Sequence, residues 1–309
     1  MRIVSLLPSA TEMCYALGLG EQLRAVTHEC DYPRPARAKP HATRNVLPAG
    51  ITDPAEIDRL VAERMAAGQP IYELDVSLLE AIAPELILTQ ELCPVCAVSY
   101  QDVLAVARQL PGQPQVASLE PTSLGGMLAD IERLGELTGR AECAAAVAAA
   151  LRQRLDWIAG CVAEVAAEPV PVVCLEWLDP PMAGGHWVPE MVELAGGRDL
   201  LGRPGQPSRY VSWDEIVAAR PEVLVLMPCG YDLERTVAQA ELLRQTPRAR
   251  ELPAVRRGQV YAVDGSGYFN RPGPRLVQGV ALLAAILHPE LFDGLDPGAA
   301  RCVPLTPLA

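Results

Sequence analysis

Aromatic side chains are scarce in this chain: they make up 5% of 309 residues, with only two phenylalanines. The core therefore has to be assembled from Ala, Leu, Val and Ile, a composition suited to helices packed on a parallel sheet. Basic residues are also short, 26 against 38 acidic, for a net charge of −12. Such a balance repels phosphate backbones and anionic lipid surfaces, which sets nucleic-acid binding aside. No uninterrupted apolar run reaches the ~18 residues of a membrane span. Met1-Arg2 runs directly into Ile3-Val4-Ser5-Leu6-Leu7-Pro8, which reads as a first strand and not as a secretory leader. The nine cysteines (14, 30, 93, 96, 143, 161, 174, 229 and 302) are odd in number and lack the spacing of a disulfide framework. With Cys174 inside an apolar run, they suggest a reducing compartment, and a cytoplasmic location is expected. Missing too are a G-x-S-x-G elbow, a P-loop and an H-E-x-x-H helix, and Gly18-Leu19-Gly20 follows a helix and reads as its stop, not as a dinucleotide fingerprint.

What is present is alternation. Strands are expected at 2–6, 23–27, 71–74, 85–89 and 115–119, with helices between them, the first opened by Ser9 and Glu12 in capping-box spacing. From 123 to 168 the chain carries only helical spacing, with Gly139 as a break. Alternation restarts with strands at 170–176, 222–227 and 259–263 and helices at 187–194, 213–219, 233–243 and 274–287. These give an N-terminal lobe (1–121), a helical spine (122–168), a C-terminal lobe (169–288) and a loosely packed Pro-rich tail (289–309). The fold class is α/β: two Rossmann-like lobes with parallel sheets joined by one long helix. A helix followed by Pro-Glu and a buried strand occurs once in each half, at Val76–Leu88 and Val211–Leu226, with Glu80 and Glu215 in matching places. The recurrence points to related lobes.

Several segments carry a resemblance. Ile3-Val4-Ser5-Leu6-Leu7-Pro8-Ser9-Ala10-Thr11-Glu12, Asp31-Tyr32-Pro33, the two Pro-Glu units, Ala195-Gly196-Gly197 with Asp199-Leu200, and Tyr268-Phe269-Asn270-Arg271 resemble, in that order, the substrate-binding proteins of ABC importers for vitamin B12, haem and iron–siderophores. The B12-binding members are the nearest match. The resemblance implies a monomeric binding protein, not an enzyme, holding its ligand in a cleft between the lobes. It further implies that Glu80 and Glu215 dock onto an ABC permease, and that the ligand is a corrinoid, with iron–siderophore or haem as alternatives.

Loops expected at the carboxyl ends of strands carry the candidate ligand-binding residues: His28, Glu29, Cys30 and Tyr32; Gln90, Glu91, Cys93 and Cys96; Glu176, Trp177, His186 and Trp187; and Tyr210, Tyr268, Phe269 and Arg271. Tyr210, Trp187, Tyr268 and Phe269 are candidate stacking groups for a large apolar macrocycle face. Cys93-x-x-Cys96 has the spacing of half a zinc site or of a thiol redox pair, and His28 and His186 are further metal-ligand candidates. One of these His or Cys groups is alternatively an axial ligand to cobalt or iron in the bound macrocycle. A thiol- or metal-dependent enzyme using Cys30, Cys93, Cys96 and His28 is the reading from a different class.

Overall fold

The computed structural model describes residues 1–91, 97–165, 168–292 and 300–303. It divides into two compact units: Met1–Pro121 with Gly125–Ala149, and Thr122–Leu124 with Ala150–Ala309.

The first unit is built from β1 (Ile3–Ser5), α1 (Pro8–Ala16), β2 (Leu23–Val26), β3 (Thr43–Asn45), α2 (Pro54–Ala66), β4 (Tyr72–Leu74), α3 (Val76–Ile82), β5 (Leu86–Thr89), α4 (Tyr100–Ala107) and β6 (Gln115–Ser118). Its main sheet is wholly parallel in the order β2-β1-β5-β6, with Val4 opposite Ile87 and Ala25. β3 and β4 pair antiparallel as a separate ribbon. The apolar run Leu86–Thr89 is buried at every position, as expected for a central strand covered on both faces. Val4, Leu6, Ala25, Leu79, Ile87 and Val103 form one continuous core, each large aliphatic contributing ~1.5–3 kcal/mol by leaving water.

The connector is two helices, α5 (Leu124–Thr138) and α6 (Ala141–Ala163). They are separated at Gly139, whose φ of 70° is the left-handed value that favours glycine and ends a helix.

The second unit follows with β7 (Val170–Leu178), β8 (Pro181–Ala183), α7 (Val188–Leu194), β9 (Gly197–Asp199), β10 (Arg209–Tyr210), α8 (Trp213–Ala219), β11 (Val223–Leu226), α9 (Leu233–Gln239), α10 (Glu241–Gln245), α11 (Pro253–Arg256), β12 (Val260–Val263), α12 (Gly265–Tyr268), α13 (Leu276–Leu287) and β13 (Ala300–Cys302). β9, β7, β11 and β12 are parallel neighbours in that order. The later half of the long β7 pairs antiparallel with β8, which pairs with β10, while β13 closes the other edge against β12. Each unit thus sets its four parallel strands in the same order: second, first, third, fourth. In such a sheet the chain reverses direction of travel between the first and third strands, and the carboxyl ends there open a crevice.

Three local expectations need correction. Ser9 and Glu12 do not cap α1: the helix already starts at Pro8, and both side chains are buried within it. The helix expected over 233–243 is broken at Ala240 into α9 and α10. In the tail, residues 300–302 are not loose but form the edge strand β13.

Candidate functional site

In the first unit the polar groups gather at the carboxyl ends of β2 and β5. His28 lies two residues beyond β2, half-buried, and its Nδ1 is 2.7 Å from the Thr43 hydroxyl. The backbone N–H of His28 donates to the same oxygen at 3.2 Å, and the Thr27 hydroxyl is 2.8 Å from it. The ring is therefore held in place, tilted against Tyr72 at 5.4 Å, with Nε2 3.3 Å from Glu29 Oε1. Gln90, buried, and Glu91, exposed, follow β5 directly and line a cavity of about 430 Å³ together with Tyr72 and the start of α4.

Cys30 is brought to a different place. It is 3% exposed, and its sulfur sits 3.1 Å from the Thr11 hydroxyl. Thr11 donates its one proton to Ser5 Oγ, which in turn donates to the Leu7 carbonyl. The Cys30 S–H is thus the donor at the head of a buried hydroxyl chain. Tyr32 is half-exposed, in the cis Tyr32-Pro33 turn. Cys93 and Cys96 lie outside the described residues. Among the described residues no three His, Cys, Asp or Glu side chains converge as a metal site.

The second unit assembles its groups around the end of β7. The Ser208 hydroxyl donates to Glu176 and accepts from the Gly185 N–H at 3.1 Å. Burial pushes the Glu176 carboxyl up, against the lowering effect of the Ser208 and Gly185 hydrogen bonds. Next to them, His186 N–H donates to the Gln206 carbonyl at 2.6 Å and Gly205 N–H donates to the His186 carbonyl at 2.9 Å. Two loops are thereby laced together, and the space between them fixes residue 185: a Cβ there would overlap the Gln206 carbonyl and Ser208 amide. His186 takes a left-handed φ of 51° and lays its ring on Trp187 at 5.4 Å. Burial depresses its pKa, which favours the neutral imidazole.

Two of the expected stacking groups are core residues. Phe269 has no exposed surface, and Trp187 is 6% exposed with its indole N–H donating to the Phe269 carbonyl at 2.7 Å. Tyr210 is 54% exposed on β10, and the half-buried Tyr268 ring has Arg275 at 5.8 Å. Arg271 is half-buried in the loop after α12. Trp177 donates to the Asp179 carbonyl at 3.1 Å and meets Tyr231 edge-on at 5.5 Å, with Arg235 over the tyrosine at 3.9 Å. Tyr72, Thr43, Ser208, Tyr231 and Arg235 were not foreseen. Tyr231 was findable, since it follows the end of β11; Tyr72 and Thr43 reach the site only through the β3–β4 ribbon, which no alternation announces.

Glu80 is exposed on α3. Glu215 is exposed on α8, where it completes a capping box with Ser212 and pairs with Arg209 at 3.0 Å. These bonds hold its carboxyl below the usual range, the Ser212 backbone N–H first and the Arg209 guanidinium second.

Taken together, these features define a two-unit α/β protein that presents polar and aromatic side chains at the strand ends of each sheet, the pattern of a solute-binding protein. The model of the periplasmic binding protein family matches residues 3–266, and the chain belongs to that family. It is 27% identical to the vitamin B12-binding protein of Vibrio cholerae serotype O1, over 93% of this chain and 88% of that one. It is 25% identical to the cobalamin-binding protein of Halobacterium salinarum, over 93% and 69%. A periplasmic haem-binding protein from Pseudomonas aeruginosa shares the fold with a TM-score of 0.70 at 22% identity, over 100% of this chain and 99% of that one. The family is one of binding proteins, in agreement with the expectation that the chain is not an enzyme.

Family membership corrects the expected location: it points to the periplasm, not the cytoplasm. The thiols were a poor guide. Cys14 and Cys174 are buried and serve as small apolar core groups, a role that needs no reducing compartment. Desolvation raises the pKa of both Cys14 and Cys174 well above the ordinary thiol value. No helix among the described residues is long and apolar enough to cross a membrane.

Proposed function

We propose that this protein binds a corrinoid of the cobalamin class and passes it to an ABC permease. The observation that carries the reading is the match along 93% of the chain to a vitamin B12-binding protein. In the first unit the groups proposed to meet the ligand are His28, Glu29, Tyr32, Gln90 and Glu91. In the second they are Glu176, Trp177, His186, Tyr210, Tyr268 and Arg271. Tyr32 and Tyr210, each about half-exposed, supply ring faces for stacking on an apolar macrocycle. His28 and His186 supply imidazole rings, each stacked or tilted against an aromatic neighbour. Glu80 and Glu215 are the proposed permease contacts.

Titration of the purified protein with cyanocobalamin, hydroxocobalamin, haem and a ferric siderophore, followed by absorption and calorimetry, tests the reading. Saturable binding of a cobalamin with weaker or absent binding of the others is expected. Binding of haem or the siderophore alone would replace the corrinoid by that ligand. A spectral shift with hydroxo- but not cyanocobalamin, lost in His28→Ala or His186→Ala, would assign a side-chain ligand to cobalt.

A further inference from the structure

The acidic composition of the chain hides a concentration of positive charge in the second unit. Between Glu241 and Arg257 five arginines meet two glutamates, although acids outnumber bases 38 to 26 in the whole chain. The segment runs as α10, a 3-10 turn (Pro247–Glu251) and α11. It is stitched along α8, the helix of Glu215. Arg248 pairs with Asp214, the residue before Glu215. Past the end of α8 the Ala254 N–H donates to the Pro221 carbonyl at 3.0 Å, and Arg257 pairs with Glu222 at 3.2 Å. A helix as short as α8, seven residues, spans only ~10 Å, which keeps the arginines close to Glu215. They also form a ladder. Arg256 Nε donates to the Arg250 carbonyl at 3.2 Å, and an Arg250 Nη donates to the Arg244 carbonyl at 3.3 Å.

A bond to a backbone carbonyl positions a guanidinium without neutralising it. The acids of this face are taken up by other arginines: Glu241 by Arg244, Asp214 and Glu251 by Arg248, and Glu222 by Arg257. Arg250, Arg256 and Arg220, the residue that ends α8, are exposed outside those pairs. Each guanidinium keeps donors in the planar fork that matches phosphate oxygens. A row of such forks on an exposed segment suits an array of mobile anions better than one small ligand. The net charge of −12 opposes approach from afar. In ~0.1 M salt, however, charges more than about 10 Å away are largely screened, and the row decides what happens at contact. A protein that docks on a permease through Glu215 works beside a lipid surface. We propose that the face carrying Arg220, Arg250 and Arg256 contacts anionic phospholipid headgroups and holds the second unit at the membrane. Lipid as the partner rests on the proposed permease docking; the arginine row stands without it.

The test is co-sedimentation of the full chain, without cobalamin, in about 0.1 M salt. The probes are vesicles of phosphatidylglycerol mixed equally with phosphatidylcholine, and vesicles of phosphatidylcholine alone. Binding is expected to the first and not the second, and it should fade as salt is added. An arginine at an anionic surface strengthens binding by about fivefold, so Arg250→Glu/Arg256→Glu should weaken it about tenfold or more. Arg24→Glu/Arg34→Glu makes the same change in net charge at exposed positions of the first unit and should weaken it about twofold or less. Arg250→Lys/Arg256→Lys keeps the charge and should retain binding, which separates loss of contact from loss of fold. Absence of binding to the anionic vesicles would overturn the lipid contact in favour of an acidic protein surface. Equal loss in the two glutamate variants would overturn it in favour of net charge alone. Vesicle binding needs neither cobalamin nor permease, so its failure leaves both of those readings standing, and theirs is seen in the cobalamin titration and in permease docking of Glu215→Ala.

Discussion

Asp130 sits in the middle of α5 with 9% of its surface exposed, and its Oδ2 has no hydrogen-bond partner among the described residues. Burial raises its pKa from 3.8 to about 6; the Arg133 charge opposes the rise and Glu120 adds to it. Arg133 is only a partial counter-charge, since its guanidinium also donates to the Ser118 carbonyl at 2.7 Å. Because the native carboxyl holds its proton more tightly than the unfolded one, the native state binds more protons between pH 3.8 and about 6. The associated stability is fully present below pH 3.8 and is lost as pH rises through about 6. A shift of about two units is worth at most about 3 kcal/mol. Asp130→Asn keeps the shape and removes the charge, so it should stabilise the protein by about 1–2 kcal/mol at pH 8 and change little at pH 4. Urea unfolding of both proteins, followed by tryptophan fluorescence across pH 4–8, reads the difference as a displacement of the midpoint. A difference that does not vary with pH, or a gain from Asp130→Asn that is smaller at pH 8 than at pH 4, would refute the reasoning.

Further outcomes follow from the second unit. Gly185→Ala forces a methyl into the Gln206 and Ser208 backbone and should cost about 2–4 kcal/mol; an unchanged melting temperature would contradict the laced-loop geometry. Phe269→Ala empties a fully buried site and should cost about 3–5 kcal/mol, measured by denaturant unfolding; a loss of ligand affinity with no loss of stability would instead make the ring a ligand group. Ser212→Ala removes the α8 cap at about 1 kcal/mol, and the Glu215 carboxyl should titrate closer to its ordinary range by carbon-detected NMR.

Much of the scaffold was legible because its cues are local. Val76–Ile82 and Trp213–Ala219 are helices with the boundaries read from pattern alone, and Gly139 breaks the connector where a left-handed residue is needed. The sites were less legible because they depend on what is brought together from far apart in sequence. A histidine two residues past a strand end reads as a ligand candidate, but that it is locked by a threonine fifteen residues on depends on the β3–β4 ribbon. Cys30, in the next loop position but one, turns inward to Thr11, and nothing in its neighbours distinguishes inward from outward. Phe269 and Trp187, read as cleft aromatics, are buried for a compositional reason: in a chain with two phenylalanines, large rings are claimed first by the core, where each buries the most area.

The repeated helix–Pro-Glu–strand unit shows what the two halves share and where they part. Both helices end on a non-glycine residue in the left-handed region, Ala83 at φ 46° and Arg220 at φ 54°, each directly before the proline. Both then feed the third parallel strand of their sheet, β5 or β11. A strained residue kept at the same point in both halves, together with the same strand order, is better explained by one ancestral lobe used twice than by two common motifs meeting by chance. The starts of the helices differ. Asp75 caps α3 through the Leu78 N–H, which puts Glu80 beyond the first turn, whereas Ser212 caps α8 and places Glu215 at the third position, where it bonds back to the cap. The two glutamates aligned by sequence, the proposed permease contacts, therefore differ in what already holds them. At these proposed contacts a permease arginine would meet Glu80 at an exposed helix position, but would have to compete with Arg209 and the Ser212 N–H for Glu215, so Arg209→Ala should strengthen docking at the second unit, measured as permease affinity against the unaltered protein.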